Sequence, residues 1–83
     1  MIKLLFFARL REQLGSHEES LALPDSITTV AELRDHLCLR GDSWHQALHG
    51  SGVLVAVDQN LADWHTPLIG HEEVAFFPPV TGG

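Results

Sequence analysis

A single cysteine, Cys38, leaves this 83-residue chain without an internal disulfide, which fits a reducing, cytoplasmic compartment. Positive charge is scarce: five Lys plus Arg stand against eleven Asp plus Glu, a formal charge of −6. Without basic surface to release counterions, neither nucleic acid nor an anionic membrane is an expected partner. Long apolar runs are missing too. Stretches such as Leu4 to Ala8 fall far short of the roughly 20 residues that span a bilayer. The opening Met1-Ile2-Lys3 runs directly into strand-like sequence and carries no signal-peptide cleavage pattern. No glycine-rich phosphate loop is present, so the chain is not expected to bind ATP by itself. Repeats, low-complexity tracts and linker composition are likewise absent, which leaves one small domain.

What is present is 45% apolar sequence with clear periodicities. Ile2 to Ala8 reads as a sheet-core strand, with Ile2, Leu4, Phe6 and Ala8 on one face and Lys3, Leu5, Phe7 and Arg9 on the other. Arg9 to Gly15 suits one helical turn stopped by glycine. Glu19 to Leu23 suits a second strand, paired as a hairpin with the first. Thr29-Val30-Ala31-Glu32 has the capping-box form, followed by an apolar stripe of Val30, Leu33 and Leu37, with Gly41 expected as a left-handed C-cap. Ser43 to Leu48 suits a second short helix. Val53 to Val57 reads as a buried strand, Asp58-Gln59-Asn60 as a turn, Leu61-Ala62 as a short edge strand, and Glu73 to Phe77 as the last strand, ended by Pro78-Pro79. A crossover through the helix is expected to bring the chain back beside its first strand. The order predicts an α+β fold of the β-grasp, ubiquitin-like kind: a mixed sheet with one main helix across one face, formed by residues 1–79.

The uncovered face and the tail carry the functional expectation. Glu73, Ala75 and Phe77 share one side of the last strand, and the acidic residue marks it as the wet side. Phe77 is therefore expected beside Phe7 and Leu5 on the bare sheet face, with Leu61 extending the patch, and contiguous exposed apolar surface usually serves a protein partner. Beyond Pro78 and Pro79, which stiffen the exit, Val80, Thr81, Gly82 and Gly83 form a slim flexible tail. Four extended residues reach roughly 13 Å, and Gly82-Gly83 can pass a channel too narrow for side chains. The tail thus presents its terminal carboxylate to an enzyme that activates it, for instance as an acyl-adenylate.

These features resemble the small subunit of molybdopterin synthase, the MoaD family of ubiquitin-like sulfur carriers. The resemblance covers the whole chain. It is strongest in Lys3 to Gly15 (KLLFFARLREQLG) and in Glu73 to Gly83 (EVAFFPPVTGG); the middle matches only in pattern. The FFPPVTGG ending separates this family from the related thiamine-pathway carriers.

The resemblance implies that Gly83 is adenylated by a ubiquitin-activating-like adenylyltransferase and converted to a thiocarboxylate. Its sulfur then passes to the cyclic pyranopterin monophosphate precursor inside the large, catalytic subunit. It also implies Phe7, Leu61, Phe77, Pro78 and Pro79 as partner-binding residues and Val80, Thr81 and Gly82 as tail. ATP and Mg²⁺ belong to the activating partner, with no cofactor held by this chain. Two alternatives stand beside this reading: a carrier for thiamine or another sulfur pathway, and a β-grasp interaction module with an idle terminus.

Other residues have plainer readings. His45 and His49, at i and i+4, share a helix face, but no third ligand stands at fixed spacing, so a solvated face is expected and no metal. Cys38 is expected as a small buried hydrophobe rather than a nucleophile. Asp58 and Asp63 are expected to bond local backbone in turns, and Trp44 and Trp64 to pack on the core or in loops.

Overall fold

The structure, a computed structural model, describes residues 1–50 and 52–79. Eight elements follow one another: β1 (Ile2–Phe6), α1 (Arg9–Leu14), β2 (Glu18–Leu21), α2 (Val30–Cys38), α3 (Asp42–Leu48), β3 (Leu54–Val57), β4 (Asn60–Ala62) and β5 (Glu73–Phe77). The five strands form one mixed sheet in the order β2-β1-β5-β3-β4. Strand β5 lies at its centre, parallel to β1 and antiparallel to β3.

Alternation decides which side of the sheet is dry. Ile2, Leu4 and Phe6 of β1, Val55 of β3, and Val74 and Phe76 of β5 are fully buried beneath Leu10, Val30, Leu33, Leu37 and Leu48 of the three helices. Phe6 stacks on Phe76 at 5.9 Å and meets the edge of Trp44 at 5.5 Å. Trp64 also stacks on Phe76, at 6.3 Å. Both tryptophans therefore pack on the helical side, with Arg34 over Trp64 and Arg40 over Trp44.

Local chemistry explains the helices. Gly15 closes α1 in the left-handed conformation at φ 69°, as expected of a C-cap glycine. The capping box of α2 is formed: Glu32 N–H donates to Thr29 Oγ1 at 3.2 Å, and Thr29 N–H donates to Glu32 Oε1 at 3.1 Å. The next N–H groups of α2, on Val30 and Ala31, donate to the carbonyls of Thr66 and Trp64 at 3.0 and 2.8 Å. The loop before β5 is thereby fastened to the helix that covers the sheet.

Three expectations are corrected. Gly41 is not a left-handed C-cap. Helix α2 ends at Cys38 with Leu39 in right-handed conformation, and Gly41, at φ 147° and ψ 178°, instead N-caps α3. Few residues other than glycine adopt that geometry. Strand β2 begins at Glu18 and stops at Leu21, because its register against β1 pairs Leu21 with Ile2. The neighbour of β1 across the crossover is β5, with β3 one position further out. As expected, α2 is the main helix of the covered face, joined there by the shorter α1 and α3.

Candidate functional site

Among the described residues no helix covers the second face of the sheet. Pairing registers lay out one row across it: Leu5 opposite Ala75, Ala75 opposite Ala56, and Ala56 opposite Leu61. A second row sets Phe77 opposite Leu54. Phe7 N–H donates to the Phe76 carbonyl at 3.1 Å and so extends the parallel ladder beyond β1, which places Phe7 beside Phe77. Leu5, Phe7, Ala56, Ala75 and Phe77, with Gln59 and Glu73 at the edge, line an open depression of about 520 Å³. Phe7 is 48% exposed, Leu54 38% and Leu61 73%. Phe7, Leu61 and Phe77 thus share one apolar surface.

Two backbone devices frame this surface. Ala8, directly after Phe7, has φ 54° and ψ −131°, and Leu10 N–H closes the turn onto the Phe7 carbonyl at 3.1 Å. This is the type II′ geometry in which glycine is the usual occupant, so an alanine there is strained. On the other side, the β3–β4 hairpin turns through Asp58 and Gln59 at φ 51° and 69°. Type I′ turns require positive φ at both central residues. Asp58 Oδ1 accepts from Glu73 N–H at 3.0 Å and Asn60 Nδ2 donates to the Asp58 carbonyl at 3.1 Å. The Asp58 side chain therefore ties the turn to the start of β5 rather than to the local backbone expected of it, whereas Asp63 does bond local backbone, accepting from His65 N–H at 2.8 Å.

Strand β5 is anchored at its start by Glu72, the buried charged residue among those described. Its carboxylate accepts from the N–H groups of Ile69, Gly70 and His71 at 2.7, 2.9 and 3.0 Å. Burial pushes this carboxyl up, but the backbone donors together outweigh burial and hold it below the ordinary carboxylate range. At the far end of β5, half-buried Pro78 and exposed Pro79 lead out of the sheet. The Pro79 ring lies against Gly52, where an added Cβ would sit 3.0 Å from its Cγ. Val80, Thr81, Gly82 and Gly83 lie outside the described residues.

Leu54 and Ala56 are members of the surface that alternation along the sequence did not name, while Ala75 falls on it as expected. The signal was available: Val53 and Val55 face the core, so Leu54 and Ala56 must face away, and Leu61 falls opposite Ala56 once the turn is two residues long.

A second cluster lies on the helical side. Cys38, at the end of α2, comes together with His45 of α3 and His49 at its C-cap, with candidate ligand atoms all within 4.8 Å of one another. Cys38 is therefore the third candidate donor that sequence spacing did not reveal. Burial, and then the Asp35 carboxylate, push the Cys38 thiol up, so it is a poor nucleophile as it stands. Among the described residues no helix is long and apolar enough to cross a membrane.

Comparison with known proteins covers the whole chain. The model of the ThiS family matches residues 4–83. Over 83 residues and the full length of both chains, the sequence is 46% identical to the molybdopterin synthase sulfur carrier subunit of Escherichia coli (strain K12). It is 41% identical, again over both full lengths, to the protein of the same name from Haemophilus influenzae. In structure it resembles SAMP1 from Haloferax volcanii with a TM-score of 0.74 and 26% identity, covering 99% of this chain and 98% of that one.

Proposed function

This chain belongs to the ThiS family, and from that premise we propose that it is the sulfur-carrier subunit of molybdopterin synthase, with the Gly83 carboxylate as the sulfur-bearing group. The observation that carries this reading is the join between surface and tail. The open apolar face ends at Phe77, and the Pro78-Pro79 exit to Gly82-Gly83 begins at the next residue. A partner that covers Leu5, Phe7, Leu61 and Phe77 therefore receives the tail at a defined starting point.

The chemistry asks little of the carrier and much of its partners. A carboxylate oxygen of Gly83 attacks the α-phosphorus of ATP on a ubiquitin-activating-like adenylyltransferase. The bond to the β-phosphate breaks, pyrophosphate leaves, and an acyl-adenylate remains. The terminal sulfur of a persulfide then attacks the acyl carbon and expels AMP, and a thiol reduces the resulting acyl disulfide to the thiocarboxylate. ATP and Mg²⁺ are held by the activating partner. In the large synthase subunit the thiocarboxylate delivers sulfur to the cyclic pyranopterin monophosphate precursor, and two such deliveries complete the dithiolene. The carrier contributes position: a rigid sheet fixes where the tail starts, and the chain's net charge of −6 suits electropositive channels on its partners.

The test uses intact-mass spectrometry and product formation. After incubation with the adenylyltransferase, ATP and a sulfur donor, the chain should gain the mass of one oxygen replaced by sulfur. Deleting Gly83 should abolish both that shift and molybdopterin formation while leaving the melting curve in place. Normal molybdopterin output from the deletion variant refutes the mechanism, and an unchanged mass in the intact chain favours an interaction module instead.

A further inference from the structure

The link between α2 and α3 is three residues long, Leu39 to Gly41, and it folds α3 back over the end of α2. The Cys38 thiol comes to 3.9 Å from the Trp44 carbonyl. His45 and His49, one helical turn apart, project from the same side of α3, their rings stacked at 4.5 Å. One thiol sulfur and two imidazoles are thus gathered with candidate ligand atoms within 4.8 Å of one another. His49 Nε2 also lies 3.6 Å from Asp35 Oδ1 of α2.

We propose that Cys38, His45 and His49 form a metal site for a zinc(II) ion, with Asp35 as the carboxylate that orients His49. The donor set selects the ion: one sulfur and two nitrogens suit borderline and soft transition metals, whereas Mg²⁺ and Ca²⁺ take oxygen. Zn–S near 2.3 Å and Zn–N near 2.0–2.1 Å put tetrahedral ligands about 3.3–3.6 Å apart. From 4.8 Å the cluster must contract by about 1 Å, which both histidines can supply because their side chains are exposed. On binding, the thiol proton leaves to solvent and the sulfur–zinc bond replaces it. Water fills the fourth position. A carboxylate beside a ligating imidazole is the arrangement that fixes ring orientation and strengthens the ligand.

The site clips α2 to α3 on the helical side of the sheet, away from the apolar face, and it stands independently of the carrier chemistry.

The test uses the tag-free, reduced, full-length chain with cobalt(II) and then zinc(II) alone. Cobalt should give a thiolate-to-metal charge-transfer absorption with tetrahedral ligand-field bands, saturate at one ion per chain, and be displaced by zinc. Cys38→Ser should remove the charge-transfer absorption. Cys38→Ser, His45→Ala and His49→Ala should each weaken zinc at least tenfold, and Asp35→Asn about tenfold. His17→Ala and His71→Ala, both at exposed positions remote in sequence, should leave the affinity unchanged. Zinc at a hundred times its dissociation constant should raise Tm by on the order of 10 °C. Should Cys38→Ser fail to fold in metal-free melts, exposed His45 carries the test by affinity. A cobalt complex without thiolate absorption, saturation at one ion per two chains, or zinc affinity unaffected by His45→Ala overturns the proposal.

Discussion

Replacing Leu61 by alanine separates docking from folding. Leu61 sits on edge strand β4 with 73% of its surface exposed, so the isolated domain has little to lose. Surface substitutions of this kind stay within about 0.5 kcal/mol, a Tm change of no more than about 4 °C for a domain this size. A partner that covers the sheet face buries the exposed portion. Full burial of a leucine side chain is worth about 1.5–3 kcal/mol, and scaling by the exposed fraction leaves about 1–2 kcal/mol. That is a loss of roughly 5- to 30-fold in affinity for the large synthase subunit.

Phe7, 48% exposed, should contribute about 0.7–1.5 kcal/mol on the same scale. Three strand spacings, roughly 14 Å, separate Leu5 from Leu61, and Phe7 lies just beyond the end of β1. The two losses should therefore add, giving roughly 20- to 400-fold in the double variant. Calorimetric titration against the large subunit measures the affinity and a metal-free melt measures the fold. Leu61→Ala binding as tightly as the parent, with Tm unchanged, would refute the assignment of this face as the docking surface. Phe6→Ala serves as the contrast: its ring is buried beneath the helices, and it should cost about 3–5 kcal/mol of stability.

Further outcomes follow from the loops. Glu72→Gln should destabilise the domain by about 2–3 kcal/mol, because one of the three N–H donors then faces an amide NH₂ instead of an anionic oxygen. The Glu72 carboxyl is held below its ordinary value of 4.5, so its stabilisation is complete above that pH. It fades as pH falls through the lower folded value. Acid melts of the parent should therefore drop below about pH 4.5 more steeply than those of Glu72→Gln; parallel curves would remove the carboxylate from the account. Ala8→Gly should raise stability by about 0.5–2 kcal/mol, as relief of turn strain exceeds the added chain entropy; a lower Tm would show that the turn is unstrained. Gly52→Ala combines φ +76° with a 3.0 Å approach to Pro79. It should cost about 1 kcal/mol and slow sulfur transfer by displacing the start of the tail, which single-turnover thiocarboxylate transfer would report.

The final strand was the most legible element. Glu73 to Phe77 is bounded by a charged loop on one side and two prolines on the other, and the observed strand has those limits. The capping box was equally plain, since both of its members lie within four residues. Elements that depend on distant partners were harder to read. Strand β2 takes its limits from β1, and Gly41 takes its backbone geometry from the need to start α3. The open apolar face was partly legible: Phe7, Ala75 and Phe77 follow from alternation, while Leu54 and Ala56 needed that parity carried into β3. The cysteine–histidine cluster was invisible, because no spacing along the chain records that a three-residue link folds α3 back onto Cys38.

Strand β5 is hydrogen-bonded along both sides, to β1 and to β3, and it leads directly into Pro78. A pull along the axis of β5 loads the flanking ladders together in shear, so they cannot peel one bond at a time. The domain can thus be drawn out of a tight-fitting socket by its tail without unravelling. A terminal strand at the sheet's edge would give way first.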